Sequence, residues 1–279
     1  MFSYTLNDGT IIPWVAFGTG TALYKQDATE AVRVAIENGV THLDGAQMYE
    51  NEDTLGAGIK ASGKPRSELY VTTKLKGLAE GQTIKDTLVI SLKKLGLEYV
   101  DLFLIHDPTS AKGDLKGWWK QMEEVKKEGL TKSIGVSNFR VQDLKEVVQV
   151  ATVIPAVNQF HPYVFKAAEP IYSYALEHKI LIASYGGLVP IVRAPGGPLD
   201  PVVGRIAERL KISPGQVYTK WLIQKGILVV TTSSKPARIV ETLKTPDVAD
   251  LTSEDIAAIQ DAGAKLHKRI FMRHVFGEA

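Results

Sequence analysis

Val100-Asp101-Leu102-Phe103-Leu104-Ile105-His106 is an apolar run of strand length that closes on one polar residue. Leu69-Tyr70-Val71-Thr72-Thr73-Lys74 and Thr41-His42-Leu43-Asp44 close the same way, on Lys74 and Asp44. Short runs that are apolar on both faces suit parallel strands, because helices cover both sides of such a sheet. A helix-like stretch follows each run, at about 50–62, 83–95 and 116–128, and Gly96 and Gly129 stand as stops after the last two.

The alternation extends outward in both directions. Upstream, Val15–Phe17 precedes a Gly-Thr-Gly-Thr loop and a helix over Gln26–Asn38. Downstream, the strand candidates are Ser133–Val136, Ala156–Gln159, Ile180–Tyr185 and Ile227–Thr231. Helices over Gln142–Val150, Glu169–His178 and Pro236–Leu243 are interleaved with them. That makes eight strand units, the count of a closed (β/α)8 TIM barrel, expected to span 1–279 as one domain. Phe2–Leu6 and Ile11–Pro13 around Asp8-Gly9 read as an N-terminal β-hairpin. Extra helices are expected at about Pro201–Leu210 and Ser253–Ala264. Gly186–Leu199 reads as one long irregular loop, a length that usually marks function, and a lid is the natural reading. The basic and aromatic stretch Lys265–Ala279 either covers the barrel mouth or hangs as a loose tail.

Composition narrows the function. A net charge of +2 argues against nucleic acid or membrane as partner. With no cysteine, disulfides, thiolate zinc sites and a thiol nucleophile are excluded, and no metal site is expected. No run reaches the roughly 20 apolar residues of a membrane span. The start, Met1 to Gly9, lacks the basic-then-apolar pattern of a signal peptide, so a cytoplasmic location is expected.

If the runs are parallel strands of one barrel, Asp44, Lys74 and His106 meet at its C-terminal mouth, with Tyr49 five residues beyond Asp44. Taken singly, each is more often structural. Together they form a proton-donating site. A nearby ammonium on Lys74 lowers a phenol pKa from about 10, and Asp44 keeps a buried lysine charged. His106 then orients a substrate oxygen, and Tyr49 protonates it as a nucleophile reaches carbon. None of these groups is itself the nucleophile, so a nicotinamide hydride is the economical candidate.

The segment Asp44-Gly45-Ala46-Gln47-Met48-Tyr49-Glu50-Asn51-Glu52 resembles the Asp-x-Ala-x-x-Tyr-x-Asn-Glu signature of the aldo-keto reductases. Val71-Thr72-Thr73-Lys74-Leu75, Leu104-Ile105-His106-Asp107-Pro108, Gly135-Val136-Ser137-Asn138-Phe139 and Asn158-Gln159 follow in family order. The resemblance implies NADPH-dependent reduction of a small-molecule carbonyl by a monomer or weak homodimer, with Asp44, Tyr49, Lys74 and His106 catalytic. It also implies a cofactor site. Ser137, Asn138 and Gln159 would hold the carboxamide, Tyr185 would stack on the nicotinamide, and Gly18-Thr19-Gly20 would let the backbone approach. Gly186, Leu188, Glu241 and Thr242 belong to the same implied site, as does Asp44. Thr231-Thr232-Ser233-Ser234-Lys235-Pro236-Ala237-Arg238 resembles the family's Lys-Ser-x-x-x-x-Arg grip on the 2′-phosphate, in the form of the fungal keto-ester, keto-amide and diketone reductase branch. There the family's lysine is Thr232, and Lys235 lies three residues on.

Two positions bear on substrate. Tyr24 is the nearest aromatic after the Gly-Thr-Gly loop, and Asp107 stands where the family commonly has a tryptophan. Asp107 either faces the pocket, repelling keto acids in favour of keto esters, keto lactones, diketones or aromatic aldehydes, or caps the backbone before Pro108. Three rival readings share the fold: a Schiff-base aldolase using Lys74, a cofactor-binding sensor or regulatory subunit with little turnover, and a dehydrogenase working in reverse.

Overall fold

The computed structural model describes residues 2–161, 165–266 and 269–277, with side chains of 165–168 left aside. Pro162 and positions 267, 268, 278 and 279 of the tail lie outside the described residues. Strands β1 (Ser3–Thr5) and β2 (Ile11–Pro13) pair antiparallel. Their turn closes through Gly9 N–H donating to Leu6 O at 3.0 Å, with Gly9 at φ +83°. Only glycine adopts that backbone without steric cost.

Eight parallel strands then close on themselves in chain order: β3 (Val15–Gly18), β4 (His42–Asp44), β5 (Tyr70–Leu75), β6 (Val100–Ile105), β7 (Thr131–Ser137), β8 (Val157–Phe160), β9 (Leu181–Tyr185) and β10 (Leu228–Thr231). The expected strands are found within about two residues, and the expected barrel closes between β10 and β3, where Val229 pairs with Val15. The interior is filled by Ala16, Leu102, Leu104, Val157, Leu228 and Val230, and Leu6 and Ile12 of the hairpin join that cluster. The hairpin therefore covers the N-terminal end, leaving the C-terminal end for chemistry.

Helix Ile84–Leu95 starts where the sequence dictates. Thr83 accepts from Asp86 N–H and Asp86 accepts from Thr83 N–H, a reciprocal cap, and Gly96 at φ +67° ends it. The 186–199 segment departs from expectation, because residues Val189–Val192 form a short helix within it. A second departure is larger. Pro214–Gln224 is a helix that hydrophobic periodicity did not reveal, since Val217 through Ile223 are buried on every side. Its start was legible: Ser213 and Gln216 cap each other around Pro214 at the first position.

Candidate active site

Strand register brings Asp44, Lys74 and His106 to the same end of neighbouring strands. Asp44 ends β4, Lys74 is next to last in β5, and His106 follows the last residue of β6. Tyr49 closes a single helical turn, Gln47–Tyr49, after β4. Lys74 Nζ donates to Asp44 Oδ1 at 2.5 Å, to Gly45 O at 2.9 Å and to the Tyr49 hydroxyl at 3.3 Å. All three ammonium protons are thus directed at oxygens, and the side chain is 0% exposed. The other Asp44 oxygen accepts from Gln159 Nε2 at 2.8 Å. The Tyr49 ring stands edge-on to His106 with centroids 5.5 Å apart. The four predicted catalytic residues therefore meet.

Electrostatics refine the expected roles. Burial, and then the Asp44 carboxylate, push the Tyr49 phenol well above its usual 10. The expectation that Lys74 draws this pKa down is not met: the ammonium is already matched to Asp44, so burial dominates. The phenol consequently keeps its proton across the working pH range, as a proton donor must. Burial pushes Lys74 down while Asp44 holds it up. Burial, helped by the Lys74 charge, takes His106 down to about 3, so its imidazole is neutral.

Above this cluster lies a cavity of about 470 Å³, within the range of small-molecule sites. Tyr49 and Asp44 line one end and Arg238, Glu241 and Thr242 the other. Gly18, Gly20, Tyr185, Gly186, Leu188, Thr232 and Ser233 of the expected cofactor set also line it. Gly20 is required by contact: a Cβ there would lie 2.8 Å from Tyr49 Cζ. Ser234 and Lys235 are exposed and do not line the cavity. Thr232 does line it, but its hydroxyl donates to Gly18 O. Thr19 is fully buried away from it, its N–H donating to Asp44 O at 2.9 Å.

The expected carboxamide trio does not line the cavity and is tied into the scaffold. Ser137 Oγ donates to Gln159 O at 2.7 Å. Asn138, at φ +62°, reaches back to donate to His106 O at 2.9 Å and accepts from the Tyr185 hydroxyl at 2.8 Å. These bonds link the C-terminal ends of β6, β7, β8 and β9.

The Asp107 expectation needs correction. It is buried and does not line the cavity; its carboxylate accepts from Thr109 N–H at 2.7 Å, capping the turn Pro108–Ala111, and pairs with His274. Burial works against its charge, but hydrogen bonds from His274 and Thr109 hold its pKa below the usual value. The capping alternative describes its place, and the tail covers the mouth. Phe271 lines the cavity and meets Tyr185 at 5.7 Å, while Arg140 Nη1 donates to Val275 O at 3.3 Å. Tyr24 is partly exposed with its ring 6.5 Å from Tyr49.

Sequence reasoning missed three groups. Asn51 holds the loop after β3 by donating to Thr19 O and Leu23 O at 3.0 and 2.7 Å. Glu52 is buried and accepts from Thr73 and Ser91. Both sit inside the Asn-Glu of the quoted signature, which was the available signal. Ser213–Gln216, at the start of the missed helix, also lines the cavity.

A model of the aldo/keto reductase family matches residues 14–189. The chain belongs to the aldo/keto reductase family. It is 37% identical to the NAD/NADP-dependent indole-3-acetaldehyde reductase of Schizosaccharomyces pombe, over 96% of this chain and 97% of that one. It is 34% identical to the NADPH-dependent alpha-keto amide reductase of Saccharomyces cerevisiae, over 99% and 95%. Among solved structures, an aldo/keto reductase from Brucella melitensis superposes with a TM-score of 0.83 at 34% identity, covering 93% of this chain and 98% of that one. The Bombyx mori aldo-keto reductase in complex with NADP gives 0.82 at 33% identity, covering 93% and 92%. This aldo/keto reductase barrel has no described helix long and apolar enough to cross a membrane.

Proposed function

We propose that this reductase converts an aldehyde or activated ketone, such as a keto ester, keto lactone or diketone, to the alcohol, using NADPH. The observation that carries the proposal is the Tyr49 hydroxyl, held at 3.3 Å from a buried, ion-paired Lys74 and facing a cavity of cofactor size. When bound, a reduced nicotinamide supplies the hydride. Gly18, Gly20, Tyr185, Gly186 and Leu188 would hold its nicotinamide half, and Thr232, Ser233, Arg238, Glu241 and Thr242 its far half. The fit rests on the donor set and on the close approach at Gly20.

The chain's own residues handle the proton. Neutral His106 orients the carbonyl oxygen. The Tyr49 hydroxyl gives that oxygen its proton, and the phenolate left behind is stabilised by Lys74. Asp44, itself fixed by a hydrogen bond from Gln159, holds Lys74 in place. The aldolase reading needs a lysine nitrogen free to attack, and the three oxygens around Lys74 argue against it. The closed barrel from Val15 to Thr231 supports one functional domain. A cytoplasmic location and a monomer or weak homodimer complete the proposal.

The test is a panel of aldehydes, keto esters, keto amides and diketones with NADPH and with NADH, followed at the nicotinamide absorbance. Turnover of at least one class with NADPH is expected. Tight NADPH binding without turnover on any of them would select the sensor reading instead.

A further inference from the structure

Asn51 does not do what its place in the chain leads one to expect. It precedes helix Glu52–Ala61, where an asparagine ordinarily accepts a bond from a first-turn N–H, yet its side chain makes no such cap. It is 1% exposed, and its amide is turned the other way. Nδ2 donates to Thr19 O at 3.0 Å and to Leu23 O at 2.7 Å, and the Thr19 hydroxyl donates to Oδ1 at 3.4 Å. The helix forgoes a favourable cap, and the side chain grips both ends of a loop instead.

That loop is the wall between the cavity and the proton donor. Gly20, Thr21 and Ala22, between the two gripped carbonyls, line the cavity, and Asn51 does not. Gly20 packs on the Tyr49 ring so closely that a Cβ would lie 2.8 Å from Cζ, the carbon that carries the hydroxyl. Lys25 N–H donates to Tyr49 O at 2.9 Å, and Lys25 Nζ pairs with Glu50 at 3.4 Å. Lys25 and Glu50 both hold left-handed backbone, at φ +57° and +54°. Neither is glycine, so two strained residues meet at one contact, an arrangement that persists only where its surroundings fix it. Residues 49, 50 and 51 thus hold segment 19–25 in turn, by backbone, ion pair and amide.

We propose that Asn51 is a positioning residue that joins the cofactor-facing loop to the proton donor, so that a nicotinamide cofactor seated against Gly18 and Gly20 fixes the Tyr49 hydroxyl through the same contacts. The inference rests on the carbonyl-reductase reading. On its other side the Tyr49 ring meets His106 edge-on and the Lys74 ammonium. With the loop released, the phenol loses one wall and tilts away from the geometry that proton transfer needs.

Asn51→Ser separates this role from a merely structural one. Serine caps a helix about as well as asparagine but is too short to hold both loop carbonyls. The new cap offsets part of the two lost bonds, so the variant should fold with a modest fall in melting temperature. Its single-turnover rate of NADPH oxidation, with NADPH and the best carbonyl saturating, should fall about 10–100-fold, the scale of a misplacement of about 1 Å. A single-turnover rate equal to that of wild type overturns the proposal. Hydrogen exchange of the wild type with and without NADPH needs neither variant nor turnover. Slower exchange is expected in 19–25 and 47–51 together. Slowing confined to 19–25, or absent from both while calorimetry shows NADPH bound, overturns the coupling. If no carbonyl turns over, the reductase reading is at fault, and joint protection by NADPH still supports the coupling. If calorimetry shows no NADPH binding, both fail.

Discussion

The two ends of the barrel each bury an ion-paired carboxylate, and they use it differently. At the N-terminal end Asp101 accepts from Arg66 at 2.6 Å, from Lys132 at 2.8 Å and from the Val71 N–H at 2.8 Å. Tyr99 lies under both cations, and Lys126 joins Asp8 of the hairpin loop nearby. One acid there meets an excess of donors, under a hairpin that covers it. At the C-terminal end Asp44 meets one cation, and the assembly leaves the Tyr49 hydroxyl facing a cavity. Burial of charge alone therefore does not mark a functional site. The mark is a titratable group displaced from its usual pKa and still open to a ligand.

The sharpest way to break this comparison is Tyr49→Phe. It removes the proton donor and leaves the Lys74–Asp44 pair in place. Turnover should fall about 10²–10⁴-fold, with NADPH binding and melting temperature near those of wild type. Wild-type turnover in this variant would remove Tyr49 as the acid.

Asp101→Ala should do the reverse. It leaves Arg66 and Lys132 without their carboxylate and the Val71 N–H without an acceptor, a loss of about 3–5 kcal/mol on the scale of broken buried ion pairs. Lys132 is half exposed and recovers part of this in water. Urea unfolding should show the loss, while kcat of the folded fraction stays within about twofold. A large drop in kcat at unchanged stability would mean that the two ends are coupled.

These two ends were unequally legible in the sequence. The mouth could be read because each strand run stops on a polar residue, so Asp44, Lys74 and His106 announce themselves by position. The lower cluster could not, because Asp101 sits inside a run that otherwise reads as core. Periodicity found helices with one wet face and missed Pro214–Gln224, which has buried residues all round. The Asp107–His274 pair was beyond reach for a different reason: it is set by how a C-terminal tail lies over the mouth, a contact between residues 107 and 274. The phenol's direction of shift was missed because charge could be inferred from residue types, while the extent of burial could not.

Histidines make a third contrast, visible through pH. His42, at the start of β4, is buried with Nε2 at 2.8 Å from Thr72 Oγ1, and burial takes it from 6.5 down to about 4. A lowered histidine pKa means that the unfolded chain binds the proton first. Stability from this group is therefore complete above about pH 6.5 and is lost as pH falls toward 4, by about 3 kcal/mol at most. His106 acts in the same direction. His42→Gln should flatten the rise in urea midpoint between pH 4.5 and 7 while leaving the pH–rate profile unchanged. An unflattened rise would assign the acid sensitivity to other groups.

The smallest effect is expected at the cavity's far end, where function needs charge but no burial. Arg238 is exposed at the start of helix Pro236–Leu243, and it lines the cavity with Glu241 and Thr242. Lys235, the other cation of that segment, does not line the cavity, so one arginine is left to meet a 2′-phosphate of nearly two negative charges. Its guanidinium can grip the phosphate through two hydrogen bonds, where a lysine offers only a point charge. Arg238→Ala should raise KM for NADPH about 10-fold or more, with KM for NADH and the melting temperature nearly unchanged. Because the contact is exposed, the NADPH penalty should shrink as the ionic strength is raised about tenfold, from roughly 0.05 M to roughly 0.5 M. Equal losses for NADPH and NADH, or a lower melting temperature, would make Arg238 a structural residue like Arg66 at the opposite end.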